Sequence, residues 1–273
     1  MATTVYASKG GIYANRKYIP VQHTYIQKGT YKITITGECD NLYGYDGDVT
    51  KGAKLSNTLV NSLWGIQVPN DCTSPLKYGY GSFFGCKNLK FVGYGVFHNI
   101  TECKEVPHLY DGAVLSRIEP WMLYGGKNLQ SVSYTFENCQ MYEIDPDIFK
   151  NCPKIEDASH VFHRCNVLRE IPDKLFDNNP KINNLDCAFK SCASVTYVPF
   201  NLFDKCPDIT NANECFSGGR TDSDTSYPTI MKINTALPPL WKRDNIITHR
   251  FYAHGCSNAT NYKEALLNGW VLG

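Results

Sequence analysis

His160 and His163 flank Phe162, and Cys165 follows two residues later. Imidazole and thiolate are both transition-metal ligands, but a zinc centre needs donors that converge at set spacing. Nothing in the pattern marks donors elsewhere in the chain that converge on this pair. Plain surface histidines are therefore expected, and the same holds for His254 beside Cys256 and for His108. Oxygen-rich turns occur at Asp46 and Asp48 in YDGD and at Asp222 and Asp224 in TDSD. Such turns can hold calcium, but neither keeps the EF-hand spacing, so solvated turns are expected. No GxSxG, HExxH, P-loop or GxGxxG signature occurs. Glycoside hydrolysis would need two carboxylates at a fixed separation in a cleft, and no sequence pattern singles out such a pair. The expectation is a protein that is not an enzyme, with no catalytic, cofactor-binding or metal-binding residues.

The elements that carry these side chains come from a repeat. The chain writes EIDPDIFKNCPKIEDASHVFHRC (Glu143–Cys165), then REIPDKLFDNNPKINNLDCAFKSC (Arg169–Cys192), then YVPFNLFDKCPDITNANECFSGG (Tyr197–Gly219). Aligning on the first aliphatic residue places Val92, Ile118, Ile144, Ile171 and Val198 in one column, at steps of 26, 26, 27 and 27 residues. Five places on stand Phe97, Leu123, Phe149, Phe176 and Phe203. Eleven places on stand Cys103, Leu129, Ile155, Ile182 and Ile209. Fourteen places on stand Val106, Val132, Ala158, Leu185 and Ala212. Eighteen places on stand Tyr110, Phe136, Phe162, Phe189 and Phe216. Every column is apolar. One such unit cannot bury its apolar face alone, whereas stacked units can. Short strands alternating with short helical or 3₁₀ turns are expected in each unit, with the aromatics stacked as a ladder.

An aromatic residue is followed by Cys three places later at Phe136/Cys139, Phe149/Cys152, Phe162/Cys165, Phe189/Cys192 and Phe203/Cys206. On a single turn this puts both side chains on one inward face. Asn179 and Gly219 stand in equivalent slots, so the slot tolerates other residues. That favours reduced, buried structural thiols over disulfides, a small side chain with a weak donor being what fits there. A few bridges remain open, for example among Cys39, Cys72 and Cys86, which lie outside the regular columns.

The 273 residues, 42% hydrophobic, suffice for one long or two ordinary domains. A formal net charge of +1 argues against a general nucleic-acid binder. No run of 18 apolar residues is present, so no membrane insertion is expected. The opening MATTVYASKGGIYANRKYIP has no apolar stretch of the signal-peptide kind. The 18 tyrosines suit a β-rich, surface-binding protein. Residues 1–75 carry no repeat and read as a small N-terminal β region, an attachment and cap, with TYKITITG (Thr30–Gly37) as a strand. The repeat array spans 76–256, interrupted by a polar insert at 218–229, and 257–273 reads as a closing cap.

The cadence AFxxC…L…IP resembles the BspA-like leucine-rich repeats. More narrowly, LFDNNPKINNLDCAFKSC and the ending PLW…C…NY…GW resemble a variant found in large phage and bacterial surface proteins of the gut. The likeness covers about Phe83–Trp270 and is specific for scaffold rather than function. It implies a mainly β fold with short helical turns, a leucine-rich-repeat-type (BspA-like) solenoid of 26–27-residue coils. It further implies a virion structural, decoration or tail-fibre protein of a phage, presenting the solenoid to host-surface glycan or protein. The period, longer than the common bacterial form, tilts the expectation towards a virion assembled in the bacterial host cytoplasm. A bacterial cell-surface adhesin is the alternative, and a solenoid polysaccharide depolymerase a lesser one. The expected partners are other virion proteins through the N-terminal region, a host glycan or protein, and further copies of the chain, with no nucleic acid. The insert, with Arg220, Asp222, Asp224 and Tyr227, and the adjoining Trp241 are the candidate ligand contacts.

Overall fold

The computed structural model describes residues 63–68, 79–195, 197–199 and 201–217, together with the backbone of short strands at 2–7, 19–24, 42–43, 53–54 and 230–231. The insert at 218–229 and the candidate contacts Arg220, Asp222, Asp224, Tyr227 and Trp241 lie outside the described residues. So do Thr30–Gly37, Asp46, Asp48, Cys39, Cys72, His254 and Cys256.

The described part is low in helix and has few, short strands. Strands β1 (Ala2–Ala7) and β2 (Ile19–Thr24) pair antiparallel near the N-terminus. The remaining strands are two residues each: β3 (Leu42–Tyr43), β4 (Ala53–Lys54), β5 (Gly65–Ile66), β6 (Phe91–Val92), β7 (Arg117–Ile118), β8 (Glu143–Ile144), β9 (Tyr197–Val198) and β10 (Ile230–Met231). They pair in parallel: β3 with β4, β5 with β6, β7 with β8, and β9 with β10. Ile118 faces Ile144 directly, so the sequence period is also the pairing register. Single bridges at Glu105, Ser131, Asp157, Asn184 and Asn211 run in parallel from one repeat to the next, at the same 26- and 27-residue steps. Each 26–27-residue repeat is thus a rung stacked on its neighbour.

All five sequence columns are buried, from Val92, Phe97, Cys103, Val106 and Tyr110 in one rung to Val198, Phe203, Ile209, Ala212 and Phe216 four rungs later. The rings stack as a continuous file. Tyr110, Phe136, Phe162, Phe189 and Phe216 follow each other at centroid distances of 5.3, 5.6, 5.4 and 5.4 Å with nearly parallel planes. A second file, Phe149, Phe176 and Phe203, runs beside it at 5.6 and 5.8 Å.

The turn that holds the first file is not the helical turn expected. Two residues before and two after each ring the backbone is left-handed: Tyr134 and Asn138, His160 and Arg164, Cys187 and Ser191 all have φ between 54° and 61°. Within the turn, N–H groups bond three residues back, as from Thr135 to Val132 and Glu137 to Tyr134. Left-handed residues between right-handed ones turn alternate N–H groups towards the next rung. Val132, Tyr134, Phe136 and Asn138 donate to the carbonyls of Asp157, Ser159, Val161 and His163. Ala158, His160, Phe162 and Arg164 repeat the pattern onto Asn184, Asp186, Ala188 and Lys190. True 3₁₀ turns occur at Ile100–Glu102 and Pro120–Leu123.

Among the described residues nine cysteines are free and buried, including Cys86, Cys139, Cys152, Cys165, Cys192 and Cys206. Their slot has a bonding function. The thiols of Cys139, Cys165 and Cys192 donate to the carbonyls of Tyr110, Phe136 and Phe162 in the preceding rung, at 3.0, 3.1 and 3.2 Å. Asn179 does the same through its amide, to Phe149 O at 3.1 Å and Cys152 O at 2.8 Å. Burial pushes the thiols of Cys152 and Cys192 up to about 12, which keeps them protonated donors and poor nucleophiles. Gly126 takes the slot after Leu123, where a Cβ would lie 2.7 Å from Cys152 Sγ.

Two outcomes follow from this packing. Phe176→Ala or Phe189→Ala removes a ring from a closed file and is expected to cost about 3–5 kcal/mol in urea unfolding. Asn179→Cys preserves a donor and should stay within about 1 kcal/mol of wild type, whereas Asn179→Leu removes one side-chain bond from each of two buried carbonyls that keep a backbone N–H, and should cost about 1–3 kcal/mol.

Candidate functional site

Two surfaces stand out, at different points of the rung circuit. The first lies two to six residues after the aliphatic column and is aromatic. Tyr94 is 59% exposed and Tyr124 46%. Their ring centroids lie 6.1 Å apart. His98 sits against both, at 4.5 and 4.6 Å. Trp121 lies 6.5 Å from Tyr94 and is pinned by donation from its Nε1 to Val92 O at 2.8 Å. Phe91, in β6, and Trp64, just before β5, are also exposed, at 41% and 63%. Val92 and Ile118 take the inward positions of β6 and β7, so Phe91 and Arg117 beside them face out. Tyr94 and Tyr124 lie beyond these two-residue strands, in turns. Gly125 completes the corner. A Cβ there would lie 2.4 Å from Phe97 O, so no larger residue lets the adjacent rungs approach as closely.

The second surface lies sixteen to nineteen residues after the aliphatic column and is ionisable. The left-handed residues His108, Tyr134 and His160 project in a row and stack at 4.8 and 4.4 Å. Alongside them run Asp111, Glu137 and His163, which occupy one position on three successive rungs. His108 Nδ1 lies 2.8 Å from Asp111 Oδ2, and His163 Nδ1 lies 2.9 Å from Glu137 Oε1. His160 Nε2 lies 3.7 Å from Asp186 Oδ2, and Lys190 pairs with Glu214 one rung further on.

Burial pushes the Asp111 carboxyl above its usual range, and the charge of Glu137 adds to this against the bond to His108. Burial also acts upward on Glu137, but the hydrogen bond and charge of His163 outweigh it, and the carboxyl lies below its usual range. The bond to His160 likewise holds Asp186 low.

These pairs correct the expectation of plain surface histidines. His163 is buried, and donors from other rungs do converge: His108, Asp111 and Glu137 form one close group, and His160, Asp186 and Cys187 another. The signal was present in the period itself, because the same 26-residue step that aligns the apolar columns also aligns Asp111 with Glu137 and His163. Cys86, expected outside the columns, sits three residues after buried Phe83 as a free thiol. Among the described residues no helix is long and apolar enough to cross a membrane. No family model matches the chain, and no curated protein matches it.

The low Glu137 carboxyl has a signed consequence. Between its folded value and the ordinary value of about 4.3 the unfolded chain binds more protons, so this contribution to stability rises with pH and is complete above that range. Glu137→Gln is expected to lower stability by about 1–3 kcal/mol at pH 7 and to narrow its difference from wild type as pH falls below about 4. Urea midpoints measured across that range check it.

Proposed function

We propose that the chain is a non-enzymatic binding module, a right-handed BspA-like leucine-rich-repeat solenoid that a phage virion presents to a host-surface glycan. The scaffold part of this reading is supported by parallel pairing at the repeat period and by the buried ring files. The virion assignment rests on the sequence resemblance. The observation that carries the binding role is the aromatic cluster of Tyr94, Trp121 and Tyr124 with His98. Single exposed aromatics are ordinary, but a contiguous set on a rigid framework marks an interaction site. Tyrosine and tryptophan offer flat apolar faces at low entropic cost, with a polar edge for hydrogen bonding. Pyranose rings match such surfaces, with C–H groups on one face and hydroxyls at the rim.

The attachment of residues 1–75 to other virion proteins and a ligand contact at Arg220, Asp222, Asp224, Tyr227 and Trp241 belong to the same reading. A glycan array probed with the purified chain tests it against two variants. The double variant Tyr94→Ala/Tyr124→Ala is expected to lose glycan binding with little change in melting temperature, because both rings are about half exposed and lie outside the buried ring files. Replacing 218–229 by a short Gly/Ser linker tests the insert. Loss of binding in the linker variant alone would move the site to the insert. Hydrolysis of any bound glycan would replace the binding role with the depolymerase.

A further inference from the structure

The geometry points to a divalent transition-metal site made by His108, Asp111 and Glu137, with His163 holding the Glu137 carboxylate in place, so that one Zn²⁺-type ion would clip adjacent rungs together. This inference is independent of the glycan-binding reading. The candidate ligand atoms of His108, Asp111 and Glu137 all lie within 4.8 Å of one another. Tetrahedral zinc with ligand bonds of about 2.0–2.1 Å needs donors about 3.3 Å apart. His108 Nδ1 and Asp111 Oδ2 stand at 2.8 Å, hydrogen-bonded in the absence of an ion, so metal binding displaces that proton and opens the pair by about 0.5 Å while the Glu137 carboxylate closes in.

The donor set suits the ion. One imidazole with two carboxylates favours a borderline cation over Mg²⁺ or Ca²⁺, which take oxygen alone. Asp111 is buried, and the second carboxylate follows it at the equivalent position of the next rung. Two like charges in a half-dry place oppose each other, and a divalent cation between them reverses that penalty. His163 Nδ1, 2.9 Å from Glu137 Oε1, supplies the outer hydrogen bond that orients ligating carboxylates. His108 is the partly exposed member and leaves a way in from solvent. The neighbouring group is less suited. Its Cys187 thiol is pushed up to about 12, chiefly by burial, and Asp186 Oδ1 is already bonded by Asn213 Nδ2 at 2.9 Å.

The test is calorimetric titration of Zn²⁺ into the chelator-stripped full chain, with melting curves taken with and without the ion. The expected result is a saturable site that raises the melting temperature, with Mg²⁺ silent. His108→Ala should abolish that site and Cys187→Ser should leave it intact. His163→Ala should weaken Zn²⁺ by about 10- to 100-fold while keeping its stoichiometry. Replacement by Co²⁺ should show four-coordinate ligand-field bands without a thiolate charge-transfer band. Absence of Zn²⁺ binding overturns the proposal. So does binding that survives His108→Ala or is lost in Cys187→Ser, which would place the ion at the other group or on thiols. His108→Ala is the deciding variant because its partial exposure lets the fold persist, as circular dichroism will verify.

Discussion

Everything in the described structure depends on the donation of alternate backbone N–H groups across the aromatic turn to the next rung. A tight turn normally directs its N–H groups inward, to carbonyls three residues back. Here the chain alternates right- and left-handed residues, and four N–H groups per rung bond the neighbour instead. The left-handed positions are mostly not glycine: His108, Tyr134, His160, Cys187 and Glu214 precede the ring, and Asn138, Arg164 and Ser191 follow it. Each such residue costs about 1–2 kcal/mol. The cost is met by the ladder and by the ring it brackets, which lies flat on the ring of the next rung. None of the eight is β-branched, as the steric origin of the penalty requires.

The cysteine slot follows from the same turn. Carbonyls that close a buried turn, such as Phe136 O, need a donor that reaches from the rung below without adding bulk. A thiol does so with a small and largely apolar side chain, and an amide also fits, as at Asn179. Deep burial then raises the thiols until they are chemically quiet. A dozen cysteines in one chain thus need no disulfide chemistry to account for the nine described.

How much of this was legible depended on which side of the chain a residue faces. The inward columns announced themselves because burial restricts them to apolar residues at a constant step, and all five are buried. The backbone of the aromatic turn was not legible, since phenylalanine and cysteine three apart suit a helical turn equally well. The rung begun by Gly65–Ile66 was also hidden. Its strand pairs with Phe91–Val92 at the usual step of 26, but five places on from Ile66 stands Asp71 rather than an aromatic. At the other end, Tyr197 pairs with Ile230, a step of 33 rather than 26 or 27. Outward residues obey no composition rule, so Asp111, Glu137 and His163 looked unrelated until the period was applied to them.

That difference says where such a scaffold can acquire function. Inward positions are tied to both neighbours, and a change in one rung is felt in the next. Outward positions keep only the spacing, about one rung apart, which is the distance at which rings stack and charges couple. His108, Tyr134 and His160 use it for stacking, while Glu137 and His163 use it for a charge pair. His98 and Tyr124, equivalent positions of adjacent rungs, use it to bring their rings to 4.6 Å. A side chain placed at any outward position therefore meets its counterparts from the rungs above and below at close range. Any two residues of suitable chemistry one period apart become a pair without further design. A binding surface on this fold is a choice of outward column, made at little cost to the ladder beneath it.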